Sequence, residues 1–338
     1  MGLRFPADLA AWQAWQRRRN VGRTLVSALR PRGRPSYELA TNAPDPQLLV
    51  VVESASAGSI SMLEPLKHLT DVPIGVVSPF PVAAMLPGVP WRATRISEVT
   101  LPSVRVVLGA GHYLPLNEQG YRLAARHRAV FGVVQHGLLT PMAPPLPRNA
   151  HLLAWSEGDA AYWTQERPDV TAECVGSELL WRAGVDAVGA GNGGAEQRPV
   201  FLGQLHGAEL SRAQMSEAVL RLCAHGRVDY RPHPSETDRL SQATHKAFEA
   251  AGVRVARDTT PLRLLDRPVV SIYSTGILEA AARGRSAWAY LPRPPAWLGE
   301  FWERNGMSRW GDEPTPPPPL PDVRPARRIA AWVRSTLS

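Results

Sequence analysis

Short apolar runs rich in β-branched residues recur along the first half of the chain, with helical stretches between most of them. Such runs are typical of buried strands, and their alternation with helices is typical of βαβ units. The pattern therefore predicts an α/β fold with a parallel sheet in this half of the chain. The predicted strands are Leu48–Val52, Ile74–Val77, Val104–Leu108, Val130–Val134 and His151–Trp155, and a helix is predicted around Met62–Leu69.

A glycine-rich segment, Val185–Arg198, interrupts this alternation near the middle of the chain. Many glycines and few apolar anchors indicate a flexible linker. The alternation then restarts, so the simplest architecture is two Rossmann-like domains that face a ligand cleft. The second half has predicted strands at Pro199–Leu202, Arg227–Tyr230, Val253–Ala256, Val269–Tyr273 and Ala287–Leu291, and predicted helices at Glu209–Ala224, Glu236–Ala251 and Gly276–Arg283.

The two ends of the chain lie outside this alternation. Residues 1–45 mix apolar and arginine side chains and predict a basic helical extension. Residues 1–40 suit either an anionic membrane surface or packing on the body of the protein, and the imperfect apolar stripe favours packing. At the other end, a proline-rich connector and a last helix, Pro325–Leu337, form residues 313–338. The predicted domains are residues 46–184 and 199–312, joined by linker residues 185–198.

Composition narrows the kinds of partner. The 338 residues carry a net charge of +8, and nearly all of the basic side chains are arginines, which favours an anionic partner such as nucleotide phosphates. Nucleic acid is not expected, because no nucleic-acid-binding motif is present. Two cysteines and no long apolar run or leader-like stretch predict a cytoplasmic protein, with peripheral attachment to the inner face of the membrane left open.

The turn Gln135-His136-Gly137 directly follows a predicted strand, where open α/β sheets build their ligand sites. Glycine lets the backbone pass close to a substrate, and histidine can remove a proton from an attacking hydroxyl near neutral pH. His136 is therefore the candidate general base, with Gln135 and Gly137 on the acceptor side. The competing interpretation is a histidine that only bonds backbone in a buried turn.

A second turn places His233 between two prolines, just after Arg231. The prolines fix the backbone on both sides of the ring, and the two side chains can present a cation and a ring N–H to a phosphate. Ser235 suits the N-cap of the following helix. A cap alone would explain Ser235 but not the prolines around His233.

A third turn, Ser274-Thr275-Gly276, leads from a strand into a helix. Hydroxyls and unpaired N–H groups at such a helix start suit a phosphate. Glu279, one turn further, could reach a ribose hydroxyl. A simple helix cap is the competing interpretation.

The turn Gly203-Gln204-Leu205-His206-Gly207 ends the first strand of the second half, and its side chains could contact a base or phosphate, or only turn the chain. The dispersed histidines predict no metal site. Neither a phosphate-binding P-loop nor the nucleophile elbow of serine hydrolases occurs in the chain.

Taken together, these motifs resemble those of the GT-B-fold transferases of bacterial surface-polymer synthesis, including the CDP-glycerol glycerophosphotransferases and the capsular and sialic-acid transferases. The resemblance spans roughly residues 100–290 and rests on Gln135-His136-Gly137, Val175-Gly176-Ser177, His233-Pro234 and Ser274-Thr275 in that order.

The resemblance implies a metal-independent transferase that needs no cofactor beyond its nucleotide-activated donor. It makes His136 the base that activates the acceptor, and it assigns the donor phosphates to His233, Ser274 and Thr275. The segment Ser156-Glu157-Gly158 partly matches the acidic motif of the sialyltransferases, which makes Glu157 a further catalytic candidate.

The expected function is transfer of a glycosyl or polyol-phosphate group from a nucleotide-sugar or CDP-polyol donor to a hydroxyl of a glycan or polyol-phosphate acceptor. Two alternatives stay open. A sugar-nucleotide epimerase of the UDP-N-acetylglucosamine 2-epimerase type would need acidic residues, for which Glu157, Glu178 and Glu236 are the candidates. An inactive GT-B scaffold would act through its proline-rich tail and basic N-terminus.

Overall fold

Contacts between residues divide the chain into two compact units. The N-terminal unit comprises Gly2–Leu179 together with Pro321–Ser338, and the C-terminal unit comprises Leu180–Leu320. The last helix of the chain therefore belongs to the same unit as its first strands. The computed structural model describes residues 2–19, 36–86, 88, 90–187, 198–224, 226–258 and 260–338.

The N-terminal unit is built on one eight-stranded sheet. Its strands are β1 (Tyr37–Thr41), β2 (Leu48–Val51), β3 (Ile74–Ser78), β4 (Arg92–Ile96), β5 (Val106–Gly109), β6 (Val130–Val134), β7 (His151–Ala154) and β8 (Thr171–Cys174). They lie in the order β4-β1-β3-β2-β5-β6-β7-β8. β1 pairs antiparallel with both β3 and β4, and the other pairings of this sheet are parallel, so β2, β3 and β5 to β8 form a parallel sheet whose carboxyl ends share one edge.

Helices cover both faces of this sheet. Those described in the N-terminal unit are α1 (Leu9–Arg19), α2 (Ala57–Ser61), α3 (Pro115–His127), α4 (Glu157–Trp163), the start of α5 (Glu178–Ala187) and α10 (Pro325–Leu337). Alternate residues of β2 enter two different cores: Leu49 and Val51 pack in a cluster with α3, whereas Leu48 and Val50 pack in a cluster with α10. Burial on both faces explains why this strand is apolar throughout.

The C-terminal unit is built on a smaller sheet in which all pairings are parallel. Its strands are β9 (Val200–Leu202), β10 (Asp229–Arg231), β11 (Val269–Ser271) and β12 (Ala287–Ala289), in the order β10-β9-β11-β12. Its helices after α5 are α6 (Arg212–Cys223), α7 (Arg239–Ala250), α8 (Gly276–Ala282) and α9 (Ala296–Arg304).

The predicted α/β class is confirmed, because both units are parallel sheets alternating with helices. The prediction of a helical extension over residues 1–45 is wrong for its end, where β1 pairs with β3 and β4. An antiparallel strand of five residues carries too little alternation to stand out from sequence alone. Residues 20–35 of that extension and residues 188–197 of the predicted linker lie outside the described residues.

Two predicted elements in the body of the fold also need correction. The stretch around Met62–Leu69 holds a 3₁₀ turn, Glu64–His68, after the short helix α2, since Pro65 lacks the N–H that a continuous helix would use. The predicted strand Val253–Ala256 makes one isolated bridge, from Val255 to Tyr230.

Helix α1 packs on the N-terminal unit rather than presenting its tryptophans outward. Trp12 and Trp15 are buried, and the indole N–H of Trp12 donates to the Met142 carbonyl at 2.8 Å. Arg17, Arg18 and Arg19 at its last turn are exposed. Packing on the body, the favoured interpretation, therefore holds for this part of the extension. Within the residues that the structure describes, no helix is long and apolar enough to cross a membrane.

Candidate functional site

Gln135 fixes the turn after β6 through hydrogen bonds of its side chain. Its side-chain amide donates to the Asp159 carboxylate at 2.8 Å and to the Gly137 carbonyl at 3.1 Å, and its amide oxygen accepts the Trp155 N–H at 2.8 Å. The indole of Trp155 donates in turn to the Gln135 carbonyl at 2.7 Å. Gln135 is thus a buried positioning residue that fixes the backbone around His136, and its amide is used within the protein.

His136 projects from this fixed turn and is partly buried. Its Nε2 lies 3.3 Å from the Tyr113 hydroxyl, and its Nδ1 is buried with no hydrogen-bond partner among the described residues. Burial lowers the pKa of the ring, while the Val134 backbone acts in the opposite direction. A neutral imidazole at pH 7 is the form that can accept a proton.

Tyr113 reaches His136 because β5 and β6 are neighbouring parallel strands and both residues follow their carboxyl ends. Gly111, with φ of +129°, turns the chain between β5 and Tyr113. Burial, with a smaller contribution from Glu53, raises the pKa of the phenol far above its ordinary value, so Tyr113 stays protonated. Sequence reasoning missed Tyr113; its place after a buried strand was the only available signal.

Glu53, just beyond β2, closes the start of α3. Its carboxylate accepts the backbone N–H groups of Leu116 and Asn117 at 3.2 and 3.0 Å, and the Asn117 side-chain amide at 3.0 Å. Leu114, at the N-cap, provides no side-chain cap, so Glu53 takes that role from another strand. This helix start is therefore already occupied by a protein carboxylate.

The remaining candidates of the N-terminal unit differ in their surroundings. A Cβ added to Gly137 would meet no atom within 4 Å, so this glycine faces open space. Glu157 is exposed in the first turn of α4, and no hydrogen bond joins it to His136 among the described residues.

In the C-terminal unit, Gln204 joins the turn after β9 to the turn after β11. Its amide oxygen accepts from the Ser271 hydroxyl and from the backbone N–H groups of Ile272 and Tyr273, at 3.0, 3.2 and 3.0 Å. Gly203 is required by packing, because a Cβ there would lie 2.4 Å from the Tyr230 hydroxyl. Gln204 and Gly203 both stabilise this edge of the sheet, and these structural roles explain both residues without a ligand.

His206 and His233 stack on each other at the same edge, with ring centroids 3.9 Å apart and planes 26° apart. The Nδ1 of His233 accepts the Ser235 N–H at 3.1 Å, so the proton of the neutral ring is on Nε2. Desolvation lowers the pKa of His233, and Glu236 acts in the opposite direction. His233 therefore presents an N–H donor, as an anion-binding site requires.

Arg231 ends β10 beside this pair. Its guanidinium donates to the Thr260 carbonyl and lies 3.7 Å from the Asp258 carboxylate, while Nη1 is buried with no hydrogen-bond partner among the described residues. The guanidinium is thus anchored through Nη2, and Nη1 is a buried donor without an acceptor among the described residues.

The turn Ser274-Thr275-Gly276 starts α8, where the Ser274 hydroxyl accepts the Gly276 N–H at 3.1 Å and Thr275 provides no side-chain cap. Ser274 therefore acts as a local cap. Glu279 is 5% exposed, and its carboxyl group takes part in no hydrogen bond or ion pair among the described residues. Burial raises its pKa to about 7.

Two predictions about carboxylates and caps are corrected by the bonds that the structure shows. Asp238 caps α7, so Ser235 is not its N-cap. Glu236 is buried and accepts from the Leu205 N–H, the Tyr230 hydroxyl and His245 Nε2 at 2.9, 2.7 and 2.9 Å.

Glu178 also has a structural partner, since it forms a buried ion pair with Arg324. Of the three carboxylates that an epimerase would need, only Glu157 is free of such structural bonds among the described residues. No group of three or more histidine, cysteine, aspartate or glutamate side chains in the described ranges is placed to hold a metal ion.

No protein-family model matches the chain, and no curated protein matches it. Among solved structures, the chain is similar to the crystal structure of Anabaena Alr3699/HepE in complex with UDP and glucose. The TM-score is 0.44 and the sequence identity 13%, over 86% of this chain and 89% of that chain.

Proposed function

We propose that the chain is a GT-B-type transferase that moves a glycosyl or polyol-phosphate group from a nucleotide-activated donor to a hydroxyl acceptor. The proposal rests on three polar groups that follow or end strands of the C-terminal sheet. His233 with its Nε2–H, and Arg231 with a buried Nη1 that has no partner among the described residues, follow or end β10. The buried carboxyl of Glu279 lies one turn into α8, the helix that follows β11.

These groups match the chemistry of a nucleotide. Phosphate oxygens accept hydrogen bonds from a guanidinium and a ring N–H, and the hydroxyls of a ribose suit a carboxylate acceptor. A carboxyl that is buried without a partner and has a raised pKa is a common mark of a binding or catalytic site. Ser274, Thr275 and Gly276 would add hydroxyl and backbone donors, and His206 would support the ring of His233.

His136 in the N-terminal unit would be the general base. A base must be neutral at the working pH, and burial keeps His136 neutral. The open space at Gly137, the residue next to His136, would accommodate an acceptor. The thermal-shift and turnover screen described next names the donor nucleotide and the acceptor. The cytoplasmic location and the membrane-surface role of residues 1–40 stay predictions.

The experiment is a two-stage screen. Thermal shift against UDP, CDP, GDP and CMP, each free and joined to a sugar or polyol, should identify one nucleotide that raises the melting temperature. Turnover of the matching donor should then require an added hydroxyl acceptor. Conversion of UDP-N-acetylglucosamine without an acceptor would favour the epimerase instead, and absence of binding to every nucleotide would favour the scaffold.

A further inference from the structure

The contact between Tyr113 and His136 assigns a role that the sequence motifs do not contain. Gly111 lies under the Tyr113 ring, since a Cβ there would be 3.0 Å from it, and the Trp12 ring meets it edge-on at 5.4 Å. Trp12 is itself fixed by its bond to the Met142 carbonyl. The tyrosine ring is thus held from two sides, with its hydroxyl 3.3 Å from His136 Nε2.

The two ring nitrogens of His136 have different surroundings. Nδ1 is buried and has no hydrogen-bond partner among the described residues, whereas Nε2 faces the Tyr113 hydroxyl. Burial keeps the Tyr113 phenol protonated, so its O–H can donate to a lone pair on Nε2. That hydrogen bond places the proton of the neutral ring on Nδ1.

We propose that Tyr113 is a positioning residue that covers the basic nitrogen of His136 until an acceptor hydroxyl displaces it. The inference rests on the proposed transferase function. A contact of 3.3 Å is long for a hydrogen bond from a hydroxyl, so a substrate hydroxyl at shorter distance can replace it.

Once the acceptor hydroxyl is in place, transfer proceeds in one balanced step. The acceptor O–H bond breaks and its proton goes to Nε2. The acceptor oxygen forms a bond to the transferred group, and the bond from that group to the nucleotide phosphate breaks, with its electron pair leaving on the phosphate. If water took the place of the acceptor, the same step would hydrolyse the donor. A covered Nε2 disfavours that side reaction, since a single water must compete with the tyrosine hydroxyl.

The first test needs no substrate. Imidazole ¹⁵N NMR of the full chain, with the signals of His136 assigned by loss in His136→Gln, should show a protonated Nδ1 and a hydrogen-bonded, unprotonated Nε2. In Tyr113→Phe the Nε2 signal should move toward that of a free imidazole nitrogen. Tyr121→Phe is the matched control, because the Tyr121 hydroxyl contacts the Arg148 carbonyl at 3.4 Å and not His136. A proton on Nε2, or an unchanged Nε2 signal in Tyr113→Phe, would overturn the proposal.

The second test measures donor hydrolysis and transfer side by side. In Tyr113→Phe the ratio of hydrolysis to transfer should rise about two- to tenfold, the range of one hydrogen bond. Equal loss of both rates would show a purely structural role and would reject the covering role. Absence of turnover with every donor would instead remove the proposed function, while the NMR result would still decide whether the hydrogen bond exists.

Discussion

Each unit places a histidine just past the carboxyl end of a parallel strand, yet the two histidines are held in opposite ways. The turn of His136 is fixed by the buried Gln135 side chain, and its ring by Tyr113. His233 stands in an exposed turn, fixed by flanking prolines and by stacking on His206. The first arrangement suits one defined proton transfer, and the second suits a ligand that must enter and leave.

The largest effect should come from His136→Gln. Loss of a general base lowers turnover by about 10²- to 10⁴-fold. Nucleotide binding should stay within about twofold, because the groups that would contact the nucleotide belong to the other unit. Steady-state kinetics and calorimetry on the same preparation check both values.

His127→Gln is the matched control for that prediction, since His127 lies in the last turn of α3 and makes no described contact with the His136 turn. Wild-type turnover in His136→Gln would remove the proposed base and with it the contrast between the two histidines.

The next prediction compares two buried carboxyl groups of the C-terminal unit, those of Glu236 and Glu279, whose substitution should change stability in opposite directions. Glu236 accepts three hydrogen bonds, and Glu236→Gln turns an amide N–H toward donors that need an acceptor. We expect a loss of about 2 to 3 kcal/mol in the free energy of unfolding, measured in urea.

Glu249→Gln is the control, because the Glu249–Arg257 pair is largely exposed and should contribute less than about 1 kcal/mol. Equal stability of Glu236→Gln and the wild type would show that the bonds of Glu236 do not hold this sheet edge together.

Glu279→Gln should act in the opposite direction. Burial raises the pKa of Glu279 from 4.5 to about 7, so the folded protein holds that proton more tightly than the unfolded chain does. Ionisation therefore favours unfolding, and stability falls as the pH rises from 4.5 to about 7, then stays at the lower level. At pH 8 the variant should be more stable by about 1 to 3 kcal/mol.

The gain from Glu279→Gln should shrink toward zero in urea titrations well below pH 4.5, where the wild-type carboxyl is protonated in both states. If the variant also binds the nucleotide more weakly, the unpartnered carboxyl is retained for function. A constant stability difference at both pH values would show that Glu279 does not ionise in this range.

The smallest effect should come from the stacked pair. His233→Ala should weaken binding of the nucleotide that the screen identifies by about tenfold, the range of one charge-assisted hydrogen bond. Because His206 stacks on His233, the His206→Ala/His233→Ala double variant should bind about as weakly as His233→Ala alone. Calorimetric titrations of His206→Ala, His233→Ala and the double variant test this, and fully additive losses would contradict a shared role.

Some of the site could be predicted from local sequence. Glycine and proline constrain the backbone by themselves, so the turns at Gly137 and around His233 were recognisable before the fold was known. The apolar runs also identified the strands that these turns follow, and parallel pairing brought their carboxyl ends to one edge in each unit.

Other parts depend on residues far apart in the chain. Glu53 caps a helix that begins more than sixty residues later, and Gln204 accepts hydrogen bonds from the turn after β11. Nothing in the local sequence around Gln204 distinguishes an amide that binds a ligand from one that binds backbone. The role of Tyr113 could not be predicted for the same reason, because its partner His136 is separated from it in the chain by a helix and a strand.

By itself, the sequence determined the α/β class, most of the parallel strands and the turns that carry histidines, because these follow from the period of apolar residues and from backbone constraints. Only the tertiary structure decided which polar side chains are already bonded within the protein and which have acceptors or donors left over. That division arises from long-range contacts and burial, which set both hydrogen-bond partners and the pKa values of His136 and Glu279.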